Sequence, residues 1–342
     1  MEDITAVPSF PEERIKKRGI PGSTLKLIAI FVMLIDHIAA TILDRTLISR
    51  GFYNMGMETG GNAAANNLLN MIDGIMRMIG RLGFPLFCFL LVEGFVHTSN
   101  KRKYAIRLGI FALISEIPFD LAFFGKVFYF GYQNVFFTLL IGFLVMWGFQ
   151  LVSERLKDKK WLPVLSIAGA AGAGFIVFTS AQSAMFTVNG LLIGFTGRDI
   201  TSAVPYQRLL FIGMAAVAGI VLLIAYLKKN KEDRQIEIFL ADCTVLVAGI
   251  LLANLLITDY SGFGVLTIAV MYALRRKPVL SGLGGCLVLD IMSLSELTAI
   301  FAVIPIGLYN GERGLRLKYI FYAFYPVHLF ILYLICKAMS II

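Results

Sequence analysis

The sequence is poor in the residues from which most soluble active sites are built. Charged residues make up only 15% of its 342 residues, and there are three histidines, four cysteines and two tryptophans. The cysteines lie far apart in apolar runs, so neither a disulfide framework nor a metal site is expected. The chain also lacks a phosphate-binding glycine loop, a serine nucleophile elbow and a dinucleotide-binding fingerprint.

Apolar sequence is what the chain has instead, with 58% hydrophobic residues and a mean hydropathy of +0.79. These values lie outside the range of soluble domains and predict an all-α, polytopic membrane helix bundle. Some runs are short for a span, so we expect about 10–11 transmembrane helices. The candidate spans cover residues 25–44, 74–96, 104–124, 133–152, 161–179, 207–227, 236–257, 262–274, 279–294, 296–309 and 318–340.

The net charge of +9 comes from basic residues in short loops between apolar runs, a distribution typical of cytoplasmic loops rather than of nucleic-acid binding. It predicts a cytoplasmic N-terminus, and the loops from Asp44 to Asp73 and from Ser180 to Tyr206 on the other side. No internal repeat is present. We therefore expect a cytoplasmic segment, residues 1–24, and a single transmembrane domain, residues 25–342. The basic loops comprise Lys101–Lys103, Lys157–Lys160, Lys228–Arg234, Arg275–Lys277 and Arg313–Lys318.

Asp36 and His37 lie about twelve residues into the first span, where ionisable groups are costly unless they are paired or face a polar cavity. Adjacent helical residues diverge by roughly 100°, so we expect Asp36 to meet an arginine on a neighbouring helix, or backbone and water, rather than His37. Lys26 is eleven residues before His37. That offset places both on one helical stripe, about 16 Å apart.

Charged residues of the second and third spans pair by depth if these helices are neighbours. The expected pairs are Arg81 with Glu116, Arg77 with Asp120, and Glu93 with Arg107. They could be architectural, because a buried charge that loses its partner is costly. Arg81 and Glu116 are stronger functional candidates because they lie at the depth of His37, where Pro118 should interrupt the third helix.

His328, about ten residues into the last span, should reach the same depth as His37. Alternatively, His328 has only a structural role and forms a hydrogen bond with a helix carbonyl near Pro326. His97 is expected at the interface, and Asp290 is a buried carboxylate with no evident partner.

A buried imidazole can deprotonate an amine or hydroxyl as it attacks a thioester. A cationic stripe from the cytoplasm would hold the phosphates of a donor such as acetyl-CoA. Our candidates for those contacts are Lys26, Arg102, Lys103 and Arg107, although Arg102 and Lys103 could serve only topology. Buried Asp, Glu, His and Arg also build proton relays, so a proton-coupled transporter or exporter of a small polar solute remains an alternative. A non-catalytic accessory protein for surface assembly is a third possibility.

The sequence resembles the TraX family along nearly its whole length. That family's name comes from conjugation proteins that acetylate the N-terminus of pilin. The resemblance implies a multi-pass protein of the bacterial cytoplasmic membrane that uses acetyl-CoA and needs no metal. It is carried by Leu25–Ala29, Met33–His37, Gly80–Phe87, Val92–Thr98, Leu113–Asp120, Asn134–Thr138, Leu308–Gly311 and Phe321–Leu329.

A broader resemblance links Lys26 and His37 to the basic-x10-His element of membrane acyltransferases that O-acylate cell-surface glycans. It implies that His37 is the catalytic base. We therefore expect a membrane acetyltransferase whose acceptor, a pilin amine or a glycan hydroxyl, lies at the cell surface. Asp36, Arg81, Glu116 and His328 complete the predicted reaction centre.

Overall fold

In the computed structural model, residues 19–51, 61–156, 159–197, 234–315 and 318–342 are described. These residues are mainly helical, and they contain no strand beyond two isolated bridges. The all-α class is therefore confirmed.

Twelve α-helices follow one another along the described residues, joined in places by tighter or wider helical turns. They are α1 Gly22–Ile38, a π turn Ala39–Leu43, α2 Asp44–Ser49, α3 Gly61–Gly80, α4 Gly83–His97, α5 Lys101–Phe124, α6 Val135–Leu151 with a π turn Val152–Leu156, α7 Leu162–Thr196, α8 Gln235–Leu255, α9 Ser261–Ala273, α10 Pro278–Met292, a 3-10 helix Leu294–Ala302, α11 Val303–Gly307 and α12 Lys318–Ala338.

Among the described residues, five helical segments are long and apolar enough to cross a membrane, as expected for a polytopic bundle. They are Gly22–Ser49, Ala65–His97, Val135–Leu156, Gln235–Leu255 and Ile320–Ala338. Four shorter apolar segments accompany them: Leu162–Gly174, Ser261–Ala273, Pro278–Met292 and Leu294–Gly307. The predicted span at residues 207–227 and most of the N-terminal segment lie outside the described residues, so the count of 10–11 crossings stays a prediction.

Two predicted loops are shorter than expected because helices continue into them. Helical structure extends from α1 through Ser49 and resumes at Gly61, within the predicted loop from Asp44 to Asp73. The predicted loop from Ser180 to Tyr206 begins inside α7, which ends only at Thr196, where Gly197 adopts a φ of +68°. After Pro163 in its first turn, α7 contains neither proline nor charge, so its sequence gives the helix no earlier stop. Pro118 likewise lies inside a continuous α5 rather than interrupting it.

In the bundle, α1 packs against α3, α4 and α12. The helix α5 packs against α6 and α12, whereas α9 packs against α4, α6, α8 and α10. Aromatic and aliphatic side chains of these helices form one main core, which includes Phe89, Phe143, Ile268 and Leu329.

Segment 308–315 is tied to the start of α1 by backbone hydrogen bonds. The amide of Ile20 donates to the Leu308 carbonyl at 2.8 Å, and that of Gly22 donates to the Glu312 carbonyl at 2.7 Å. These bonds satisfy amides that a helix start leaves without intrahelical partners. We call this end of the bundle the basic end. It comprises Lys26, the α4–α5 turn and Arg313.

Candidate functional site

His37 and His328 meet directly between α1 and α12. The Nδ1 atom of His37 lies 2.7 Å from Nε2 of His328. The rings are within 5° of parallel, with centroids 5.0 Å apart. The distance between the centroids and the short N–N distance indicate that the two rings lie side by side rather than face to face. A hydrogen bond joins their edges. The expectation that both histidines lie at one depth is confirmed.

A backbone carbonyl fixes which nitrogens carry protons in this pair. Nδ1 of His328 lies 2.7 Å from the carbonyl oxygen of Phe324, which can only accept a hydrogen bond. Nδ1 of His328 therefore donates, and in a neutral ring its Nε2 must accept from Nδ1–H of His37. The remaining nitrogen, Nε2 of His37, keeps a lone pair and is the basic atom of the pair.

Aromatic rings hold the histidine pair in place. Phe123 of α5 and Tyr325 of α12 pack edge-on against His37, with centroid distances of 5.5 and 5.8 Å.

Directly after α1, the π turn Ala39–Leu43 widens the helix, and Thr41 donates its hydroxyl to the His37 carbonyl at 2.5 Å. Such π turns are frequent at functional sites.

A cavity of about 620 Å³ runs from the basic end toward the histidine pair. Its α1 wall extends from Gly22 to Met33, a rise of about 16 Å, and Met33 is one turn before His37. Tyr325, which touches both histidines, lines the same cavity. Neither histidine of the pair lines the cavity itself, and Tyr325 separates its inner end from the imidazoles.

Cations are concentrated on the cavity wall. Lys26 and Arg107, both predicted, line it together with Arg313. Lys26 lies 5.4 Å from the Phe321 ring centroid and close enough to Arg313 for mutual repulsion. Such a pair of cations is suited to binding an anion.

The cavity is also lined by a carboxylate, that of Glu93. The Tyr309 hydroxyl donates to Glu93 at 3.1 Å, and Nδ1 of His97 lies 2.9 Å from the Glu93 carbonyl. His97 lines the cavity mouth.

Asp36 points away from His37, as expected. It forms an ion pair with Arg77 at 2.7 Å. This contact requires a glycine at the end of α3, because a Cβ on Gly80 would lie 2.3 Å from the Asp36 side chain. Asp36 thus joins α1 to α3 rather than orienting the imidazole.

The three ion pairs predicted between the second and third spans are wrong. Arg77 pairs with Asp36, and Arg81 pairs with Glu296 at 2.8 Å. The predicted second span is divided by a turn at Arg81–Leu82, and α5 packs mainly on α6 and α12. The charged faces expected to meet therefore have different neighbours.

The carboxylates of α5 find backbone and amide partners instead of arginines. Glu116 accepts hydrogen bonds from the backbone and side-chain amides of Asn134, which caps α6. Asp120 accepts from the Tyr129 amide at 2.7 Å. Arg107 lies over the Tyr104 ring and bonds the Tyr322 hydroxyl, away from any pairing with Glu93.

The predicted reaction centre is therefore divided. His37 and His328 are in contact, whereas Arg81 belongs with Glu296 and Glu116 with the start of α6. Arg102 and Lys103 are exposed on the first turn of α5 and do not line the cavity, in accord with the alternative that they serve topology.

Sequence reasoning missed several residues of these clusters. Glu296 is 1% exposed in a short helix that the span pattern did not resolve. Tyr132 donates to Asp259 at 2.8 Å, across two loops that meet at the Gln133–Thr258 bridge. Arg313 lies in one of the basic loops that predict the topology. The adjacent stretch Leu308–Gly311, which resembles the TraX family, was the one sequence feature that could have indicated a functional role for it.

Comparison with known proteins gives a family and one curated relative. The family model described as TraX protein matches residues 21–226 and 200–336. The "Probable fimbrial assembly protein FimC, serogroup H1" of Dichelobacter nodosus is 33% identical over 36% of this chain and 43% of the relative. The aligned part thus spans less than half of that relative. No solved structure matches.

Proposed function

The chain belongs to the TraX family, and we propose that it is a membrane acetyltransferase that moves an acetyl group from acetyl-CoA to an amine or hydroxyl acceptor. The observation that carries this proposal is the hydrogen-bonded pair of His37 and His328, which lies behind Tyr325 of a cavity with a cationic wall. A base, a channel to it and an anion-binding wall are what a phosphate-bearing thioester donor requires.

In the proposed complex, the phosphates of acetyl-CoA contact Lys26 and Arg313 at the basic end. Arg107, farther along the wall, offers a third cation. The narrow pantetheine arm then follows α1 past Met33, and the thioester reaches the histidine pair. Guanidinium and ammonium groups bind phosphate through charge-assisted hydrogen bonds, which supports this assignment.

The chemistry requires one proton transfer in each direction. Nε2 of His37 removes the proton from the acceptor as its nitrogen or oxygen bonds to the thioester carbon. The C–S bond then breaks, and the thiolate takes the proton from His37 as the carbonyl re-forms. His328 holds the His37 tautomer throughout, and no metal enters the scheme.

The acceptor is proposed to be a surface-assembly component. The TraX family is associated with pilin acetylation, and the curated relative is described as a probable fimbrial assembly protein. A pilin or fimbrial subunit amine is therefore our first candidate, and a cell-surface glycan hydroxyl is the second. Both agree with a location in the bacterial cytoplasmic membrane, with the basic end facing the cytoplasm.

The proposal is tested by giving radiolabelled acetyl-CoA to the purified protein in nanodiscs, with and without isolated bacterial envelopes. We expect release of CoA and label in the envelopes. His37→Ala should abolish both, whereas His97→Ala at the cavity mouth should retain kcat. Undiminished transfer by His37→Ala would refute the mechanism. Solute flux in proteoliposomes without acetyl-CoA turnover would instead support the transporter alternative.

A further inference from the structure

Tyr325 lies between the cavity and the histidine pair. Its side chain is only 3% exposed, and it lines the cavity. Its ring contacts His37 and His328 edge-on, with centroid distances of 5.8 and 5.7 Å. A group bound at the inner end of the cavity would therefore meet Tyr325, whose ring packs against the histidine pair behind it.

The start of α6 holds the Tyr325 ring and hydroxyl. Phe136 packs against the ring at 90°, with centroids 5.2 Å apart. The backbone amide of Val135, the first residue of α6, faces the Tyr325 hydroxyl oxygen. Asn134 fixes this turn by accepting from the Phe136 amide at 3.0 Å. Because an amide N–H cannot accept a hydrogen bond, the proton of the Tyr325 hydroxyl remains available for donation.

The hydroxyl groups of other tyrosines in this region already take part in hydrogen bonds. Tyr322 bonds Arg107, Tyr309 donates to Glu93, and Tyr132 donates to Asp259. Tyr325 differs from them because the Asp259 and Glu116 carboxylates act on it only through their charge and the backbone group at its hydroxyl is an amide donor. It is therefore suited to receive an additional acceptor, such as a carbonyl oxygen, from the cavity.

We propose that the Tyr325 hydroxyl is the hydrogen-bond donor that stabilises the thioester carbonyl oxygen as it becomes an oxyanion. This inference rests on the proposed acetyl transfer. When the acceptor bonds to the carbonyl carbon, the π-electron pair moves to oxygen, and Nε2 of His37 takes the acceptor's proton. When that pair returns, the C–S bond breaks and the thiolate takes the proton from His37. Tyr325 donates a hydrogen bond to the oxygen and keeps its own proton.

The arrangement favours the transition state over the bound donor. A preorganised donor aimed at a developing negative charge acts most strongly where water is excluded, and losing one typically reduces kcat by about 10²- to 10³-fold. The amide end of α6 adds positive potential behind the phenol. Tyr325 is thus proposed as a catalytic residue, whereas His328 is a positioning residue.

The first test compares Tyr325→Phe with Tyr322→Phe, a neighbouring tyrosine on the same cavity wall. Tyr325→Phe keeps the ring and should lower kcat for acetyl-CoA turnover by about 10²-fold, with KM for acetyl-CoA unchanged. Tyr322→Phe loses a bond to Arg107 and should raise KM, with kcat nearly unchanged. Binding of S-ethyl-CoA, a thioether without the carbonyl, should be equal in wild type and Tyr325→Phe and reports intact folding.

A second variant tests the same role without altering Tyr325. Val135→Pro removes the amide that polarises the phenol, at the first helical position, where proline is well accommodated. Asn134 before it has φ −64° and ψ 162°, which a following proline permits. We expect a several-fold loss of kcat, smaller than that of Tyr325→Phe.

The results separate this inference from the proposed function. If the wild type does not turn over acetyl-CoA, the acetyltransferase proposal fails. If the wild type is active and Tyr325→Phe keeps kcat within about threefold, only the role of Tyr325 is overturned. Should Tyr325→Phe fail to bind S-ethyl-CoA, Val135→Pro decides, and an unchanged kcat in that variant overturns the inference.

Discussion

At the scale of single residues, the account depends on which nitrogen of His37 is basic. The Phe324 carbonyl determines the proton positions in His328, and His328 in turn determines those in His37. A hydrogen-bonded partner that holds one tautomer leaves the other nitrogen available for proton transfer. His328 should therefore matter for rate although it need not touch the substrate.

Replacing His328 by phenylalanine keeps a planar ring but removes the acceptor for Nδ1–H of His37. We expect kcat to fall by about 10²- to 10⁴-fold, as when the tautomer of a catalytic histidine is lost. His328→Gln, whose amide oxygen can accept the same proton, should recover part of the loss. Initial rates of CoA release measure both variants. Wild-type kcat in His328→Phe would show that the pair has no catalytic role.

Depth along a helix predicted the meeting of His37 with His328 because both spans are single, regular helices up to these residues. It did not predict partners for Arg77, Arg81 or Glu116, because depth does not identify which helices are neighbours. That information comes from packing: a turn at Arg81 and the close contact at Gly80 direct these arginines toward α1 and the 3-10 helix.

At the scale of elements, small residues control how closely α3 approaches α1. A Cβ at Gly80 would overlap Asp36, whereas a Cβ at Gly74 on the same helix would have nothing within 4 Å. Alanine substitutions at these two positions therefore distinguish the effect of helix propensity on stability from the effect of the contact between the helices.

Gly80→Ala should destabilise the protein by about 1–3 kcal/mol, because the added methyl group overpacks the contact with Asp36. Gly74→Ala should be neutral or stabilising by up to about 1 kcal/mol, since alanine favours a helix. Thermal unfolding in one detergent compares the two variants. Equal shifts in both midpoints would contradict the close contact between α3 and α1.

At the scale of the whole molecule, the cavity joins parts that are distant in sequence. Segment 308–315 is held to α1 by backbone bonds and brings Arg313 next to Lys26. Long apolar runs predicted the all-α class and most helices. They could not predict this joint, because it is made by irregular backbone rather than by an apolar helix.

Arg313→Ala should raise KM for acetyl-CoA about tenfold, because a charge-assisted contact to phosphate is lost, while kcat changes little. Arg102→Ala is the matched control, since Arg102 is exposed and does not line the cavity. Steady-state kinetics at fixed ionic strength measure both. An equal increase in KM for the two variants would indicate general electrostatic attraction rather than a defined site.

The central claim is that the donor reaches His37 through this cavity. Its most direct test is an experimental structure of the protein with S-ethyl-CoA bound. The account predicts phosphates at Lys26 and Arg313, and the sulfur-bound ethyl group beside Nε2 of His37 and the Tyr325 hydroxyl, within about 4 Å. A nucleotide bound outside the cavity, with the ethyl group remote from His37, would contradict it.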